Sequence, residues 1–203
     1  MAERSRYNYL MFNAVISFDH ATEQFFDLHR IPALTTFFTW FTNLGDARII
    51  IILGLSMAIV LMRHHRSAYM AGLAVSIFGS VGFSYLLKLI VARGRPMPSL
   101  AAIDAPGYSF PSMHAACSMA MYGFLAYMIY KLLQPLHHRA PLVAATAIII
   151  LLIGFSRLYL GVHYPSDVAA GFVIGGFFLW LGTAVAMRLE RQTRNAVWRG
   201  RRR

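Results

Sequence analysis

Runs of about twenty mainly apolar residues recur along this chain, and that length is what a helix needs to cross a bilayer. In hydrocarbon the backbone must satisfy its own hydrogen bonds, which a helix does within the segment. Four runs have the full length: Tyr69–Val91, Ser112–Leu132, Pro141–Tyr159 and Val168–Met187. A fifth, Ala47–Met62, is shorter, and Arg48 would snorkel from it to the interface. Composition agrees: 58% of the 203 residues are hydrophobic, 13% are charged, and mean hydropathy is +0.54. The expected architecture is an all-α, polytopic transmembrane helical bundle. One membrane domain covers 1–187 and a basic tail covers 188–203.

The first forty-odd residues fit no ordinary span. Asp19, Glu23, Asp27, His29 and Arg30 interrupt the apolar pattern, and Pro32 should break a helix. Tyr9–Phe18 and Ala33–Phe41 are too short to cross alone, yet carry interfacial aromatics: Phe12, Phe18, Phe37, Phe38 and Trp40. The expectation is a tilted or broken first span, preceded by an amphipathic segment, making a sixth crossing. No small-residue cleavage site follows the first apolar run, so a cleavable signal peptide is not expected.

Charge sets the orientation. Arg63, Arg66, Lys131, Arg139 and seven arginines of the last sixteen residues (Arg188, Arg191, Arg194, Arg199, Arg201, Arg202 and Arg203) fall on one face, which the positive-inside rule assigns to the cytoplasm. The net charge of +11 follows largely from that tail, whose simpler partner is anionic lipid headgroups; nucleic acid is not expected. Lone Cys117 allows no disulfide framework and reads as a small core residue. His64, His65, His137 and His138 read as solvated loop residues.

Three polar clusters at the other ends of the runs need a reason, because charge at membrane depth is expensive. In the first, Lys88 and Arg95 are seven apart, about two helical turns, with Gly94 and Pro96 ending the helix so that Arg95 folds back. A guanidinium fork beside a mobile ammonium suits a phosphomonoester or diphosphate. In the second, Pro111-Ser112-Met113-His114 opens a helix whose unpaired first-turn N–H groups form an anion site, with His114 at its edge as a proton donor. In the third, Ser156-Arg157 is followed by His163 and then Asp167. A phosphate ligand, a nucleophilic imidazole and its orienting carboxylate come in sequence. The bland alternatives are headgroup contacts for the cations and helix capping for Asp167. Zinc held by two histidines and an aspartate is the chemical competitor. Lys88, Arg95 and Arg157 argue against it, since they repel a divalent ion while stabilising phosphoryl oxygens.

In order, Lys-x6-Arg-Pro, Pro-Ser-x-His and Ser-Arg-x5-His-x3-Asp resemble the signature of the type 2 phosphatidic acid phosphatase superfamily, membrane lipid phosphatases related to vanadium haloperoxidases. The resemblance covers residues 88–167 by motif and most of the chain from about residue 35 by helix layout. It implies that Lys88, Arg95, Ser112 and Arg157 bind phosphate, that His163 becomes phosphorylated, that Asp167 supports it, and that His114 protonates the leaving group. It also implies metal independence, with no cofactor, and an outward-facing site in a helical bundle of the inner (plasma) membrane. Met113 stands where the family usually has glycine, which bears on pocket width at a phosphate-binding position.

The expected substrate is a lipid phosphate reached at the membrane face beneath the loop 97–110, with undecaprenyl (isoprenoid) diphosphate first. Phosphatidylglycerophosphate, phosphatidic acid and lipid A phosphates are the alternatives. A lipid phosphotransferase using the same phosphohistidine, and a non-catalytic lipid-binding protein, are the readings outside that class.

Overall fold

The computed structural model describes residues 2–133 and 135–200, with side chains over 13–196 except 134 and 136. Arg4, Arg6, Tyr9, Phe12, Arg199 and Arg201–Arg203 therefore lie outside the described side chains. Seven α-helices, joined by short loops and 3₁₀ turns, make up the described chain: α1 (Ala2–Leu28), α2 (Pro32–Phe41), α3 (Ala47–Arg63), α4 (Ser67–Val91), α5 (Met113–Leu132), α6 (Arg139–Tyr159) and α7 (Pro165–Gly200). The protein is all-α among the described residues.

Local chemistry sets most of the boundaries. Pro32 and Pro165 each occupy the first position of a helix, where the missing N–H costs nothing. Asp46 caps α3 by accepting from the Arg48 N–H at 2.9 Å, and Ser112 caps α5. Helix α4 stops at Val91 because Ala92 turns into the left-handed region (φ 48°), its N–H closing on the Lys88 carbonyl at 3.0 Å. The stop comes three residues before Gly94, and it sends the chain carrying Arg93 and Arg95 back over the end of the bundle.

Helices α4, α6 and α7 are each long and apolar enough to cross a membrane; α2 with its 3₁₀ turn (Thr42–Gly45) plus α3, bent by 46°, makes up to four. The expected run Ser112–Leu132 is a helix, but not one of these. It is the central element: Ala115, Ala116, Cys117, Ala120, Met121 and Phe124 are buried against α4, α6 and α7. A helix enclosed by other helices has no need of a lipid-facing surface. The surface that would meet lipid belongs instead to α3, α4, α6 and α7, through exposed Leu55, Phe78, Ile90, Leu151, Val173 and Trp180.

Small residues let the inner helices touch. A Cβ on Gly175 would stand 2.4 Å from the Ala116 carbonyl oxygen, and one on Gly171 would stand 2.5 Å from that of Ser112. Backbone contact of α7 with α5 thereby fixes the start of α5 against the start of α7.

The N-terminal region departs from expectation. The charges of residues 19–27 do not interrupt a helix; α1 runs through them because each buried carboxylate has partners. Asp19 and Glu23 are buried, and Glu23 Oε1 accepts the Met97 N–H at 2.7 Å. Arg30 donates to the Leu100 carbonyl at 2.7 Å and the Tyr159 carbonyl at 3.1 Å. The chain breaks twice in this region: before Pro32, which ends α1 and opens α2 as expected, and at Asp46, where α2 with its 3₁₀ turn meets α3 at a 46° bend. Helix α7 continues unbroken past Met187, carrying Arg188, Arg191 and Arg194 on its C-terminal extension.

Candidate active site

At the end of the bundle away from Arg63, Arg66, Lys131 and Arg139, the three motifs converge on one open cavity of about 760 Å³. The last turn of α4 supplies Lys88, the following loop Arg95, the first turn of α5 Met113 and His114, the last turn of α6 Arg157, and the α6–α7 loop His163. Asp167, in the first turn of α7, is fully buried behind His163. Ser112 is fully buried too, and does not line the cavity. Its hydroxyl accepts from the Ala115 N–H at 3.5 Å, and its own N–H donates to the Asp167 carbonyl at 3.0 Å. The cap thus ties the second motif to the third.

His163 is 5% exposed. Its Nε2 lies 3.4 Å from Arg95 Nη1, toward the cavity, and its Nδ1 lies 3.4 Å from Asp167 Oδ2. That second contact is long and misaligned, so Nδ1 makes no hydrogen bond, while Oδ2 accepts the Tyr164 N–H at 3.0 Å. The pair is a charge contact that a few tenths of an ångström would convert into an oriented bond. Burial pushes the His163 imidazole down to about 4; Asp167 opposes that shift, and Arg157 and Arg95 add to it. At neutral pH the ring is uncharged.

The cations differ in how they are engaged. Arg157 is 4% exposed; Nη1 donates to Thr42 Oγ1 at 2.8 Å and buried Nε has no partner. It makes no ion pair among the described residues. A buried guanidinium with an unused N–H is costly unless an anion completes it. Arg95 donates to the carbonyls of Val162 (2.8 Å), Gly107 (2.9 Å) and Pro106 (3.1 Å), and Lys88 donates to that of Tyr108. Both thereby pin the loop over the cavity through acceptors that an incoming phosphate would rival. Burial lowers the Arg95 guanidinium, with Asp167 and Asp104 opposing.

Sequence reasoning missed three participants. Thr42 positions Arg157. Asp46 brings a carboxylate to the cavity wall, as does Asp104 of the loop 97–110, and Asp46 is held below its usual range first by its hydrogen bond from Arg48. Arg93 lies two residues before the recognised Arg95, yet points away from the cavity to Asp167 Oδ1 (2.7 Å) and Asp19 Oδ2 (2.7 Å). Its partners are 74 residues away in either direction, so local spacing carries no trace of them.

Residues 69–191 match the model of the PAP2 superfamily. Phosphatidylglycerophosphatase B of Bacillus subtilis is 30% identical over 185 residues, 88% of each chain. A decaprenylphosphoryl-5-phosphoribose phosphatase of Mycobacterium tuberculosis is 35% identical over 128 residues, 62% of this chain and 64% of that one. The crystal structure of a transmembrane PAP2-type phosphatidylglycerolphosphate phosphatase from Bacillus subtilis superposes with a TM-score of 0.80 at 27% identity, covering 87% of this chain and 88% of that one. Motifs scattered over eighty residues, drawn to one cavity by the helix arrangement of a solved PAP2 enzyme, leave one assignment: this integral membrane chain belongs to the PAP2 superfamily of phosphatases.

Proposed function

We propose that the chain hydrolyses a lipid phosphate through a phosphohistidine on His163. The observation that carries this is the juxtaposition of the buried His163 imidazole with Lys88, Arg95 and Arg157 around one cavity. Nε2 of His163 attacks phosphorus, the bond from phosphorus to the lipid oxygen breaks, and His114 gives its proton to that oxygen. Water then attacks the phosphohistidine, returning its proton to His114 and releasing phosphate. Asp167 stabilises the imidazolium character that develops, and the three cations hold the equatorial oxygens, the part a metal usually plays. Met113 and the first-turn N–H groups of α5 complete the phosphate site, with Ser112 shaping it as the cap. Activity is therefore expected to survive EDTA.

For the substrate, the whole-length likeness to a phosphatidylglycerophosphatase favours phosphatidylglycerophosphate, which displaces the isoprenoid diphosphate from first place. A polyprenyl-linked phosphate remains the second reading, favoured by the decaprenyl-linked relative. The positive-inside rule supports a cytoplasmic C-terminus and a site facing the periplasm or exterior. It also supports counting α5 among the crossings, since its twenty residues are about 30 Å long and join the two ends of the bundle.

Phosphate release by wild type and His163→Ala, over a panel of phosphatidylglycerophosphate, undecaprenyl diphosphate and phosphatidic acid, tests the reading. Loss of at least about a thousandfold in the variant is expected. Equal release by both would overturn the nucleophile. A phosphorylated acceptor lipid in place of free phosphate would make the protein a phosphotransferase.

A further inference from the structure

We propose that Arg93 and Asp19 are positioning residues for the His163–Asp167 pair, through which the N-terminal helix sets the geometry of the catalytic dyad. This rests on His163 being the nucleophile, as argued above.

Asp167 divides its oxygens. Oδ2 faces His163 and takes the Tyr164 N–H, and Oδ1 takes Arg93 Nη1 at 2.7 Å. The same Nη1 donates to Ser166 Oγ at 2.7 Å, while Nη2 donates to Asp19 Oδ2 at 2.7 Å. Asp19, 1% exposed on α1, also accepts the Ser166 N–H at 3.0 Å and the Ser166 hydroxyl. The Arg93 guanidinium lies 4.1 Å above the Tyr164 ring. One guanidinium is thus shared by two buried carboxylates, and its neighbours are the residues on both sides of the turn between His163 and Asp167.

That arrangement has no other evident use. Arg93 does not line the phosphate cavity, and with Asp19, Tyr164 and Ser166 it walls a separate space of about 670 Å³ beside α1. Removing one member of a buried ion network strands the others, so the placement of Asp19 is explained by what it holds. Arg93 limits how far the Asp167 carboxylate can rotate toward or away from Nδ1. It also offsets part of the charge that His163 feels. The remaining charged groups around His163 are Arg157 from α6, His114 from α5, Arg95 from the loop, and Lys88 from α4 near Asp167.

The test uses the full-length protein in detergent, with Arg93→Gln, Arg93→Lys and Asp19→Asn, reading kcat, KM, the acid limb of kcat/KM, and melting temperature. Orienting partners of ligating imidazoles typically contribute about 10–100-fold, so Arg93→Gln is expected to lose that much kcat with KM nearly unchanged. Its acid limb moves to higher pH, because an uncompensated Asp167 favours protonated His163. Arg93→Lys keeps the limb at the wild-type pH and recovers part of kcat, and Asp19→Asn loses kcat more mildly. The substrate's own ionisation is common to all four proteins and cancels in the comparison. Unchanged kcat in both Arg93→Gln and Asp19→Asn overturns the proposal. So does a loss of kcat and melting temperature with the limb fixed and no recovery by lysine, since that is a structural role alone. Retained phosphate release by His163→Ala would instead remove the nucleophile beneath it, through a separate readout.

Discussion

As the nucleophile proposed above, the His163 imidazole has to be uncharged when phosphate arrives, in a site where cations would attract the phosphate and a carboxylate pulls the other way. In this protein burial and the cations Arg157 and Arg95 outweigh Asp167 and push the His163 imidazole from its ordinary 6.5 down to about 4. The sign follows directly. Below its pKa the ring is protonated and inert, so a lowered pKa extends activity toward acid. With the substrate's own ionisation taken out, the acid limb of kcat/KM is expected near 4 instead of near 6.5, while the basic limb belongs to His114 as the proton donor. A limb at 6.5 would mean that the ring is solvated when substrate binds. At this scale the sequence was most legible where a residue type is costly and specific: His114, His163, Arg157, Lys88 and Arg95 all reach the cavity. It was least legible where a residue serves another residue. Ser112 proves to be a buried cap joined to Asp167, and Arg93 reads as one more arginine in a basic motif until the fold carries Asp19 to it.

Between elements, the decisive contact is the seam of α5 with α7, because Ser112, Met113 and His114 begin one helix and Asp167 begins the other. Adding a Cβ at Gly175 would place it 2.4 Å from the Ala116 carbonyl oxygen and 2.7 Å from Met119 Cβ, whereas at Gly176 the nearest atom, Met119 Cε, stands 3.6 Å away. Gly175→Ala is therefore expected to destabilise by about 1–3 kcal/mol, the usual cost of overpacking. Gly176→Ala, which gains helix propensity without a clash, should be neutral or stabilising by up to about 1 kcal/mol. Melting curves of the two proteins in the same detergent check this, and equal curves would show that the helices can move apart freely. Hydropathy bounded α4, α5 and α6 to within two residues, but it did not foresee that α7 runs on past Met187 or that α5 is enclosed by the other helices. A helix ringed by others needs small and polar faces, and those lower the apolar signal that marks a span. The same limit hid α1, where charged residues that look like interruptions are the ones fastening it to the site loops.

The whole molecule has a basic end and a site end, separated by the length of its spanning helices. Arg63, Arg66, Lys131, Arg139, Arg188, Arg191 and Arg194 gather at the first, and the cavity opens at the second. In the orientation proposed above, the charge bias puts the basic end in the cytoplasm. A lipid phosphate handled at the second end would then be one displayed on the outer leaflet. Because Cys117 is the chain's single cysteine and is 2% exposed, Cys117→Ala gives a background in which one introduced thiol reports one location. Asp104, exposed in the loop at the cavity mouth, and His65, exposed between α3 and α4, sit at opposite ends. In intact spheroplasts a membrane-impermeant maleimide is expected to label Asp104→Cys and to leave His65→Cys unmodified until the membrane is opened. The reverse pattern would turn the site toward the cytoplasm and oblige the protein to act on lipids before they are exported. Labelling of both thiols in sealed spheroplasts would break the link between charge and orientation, because no single placement of these helices puts both loops on one side.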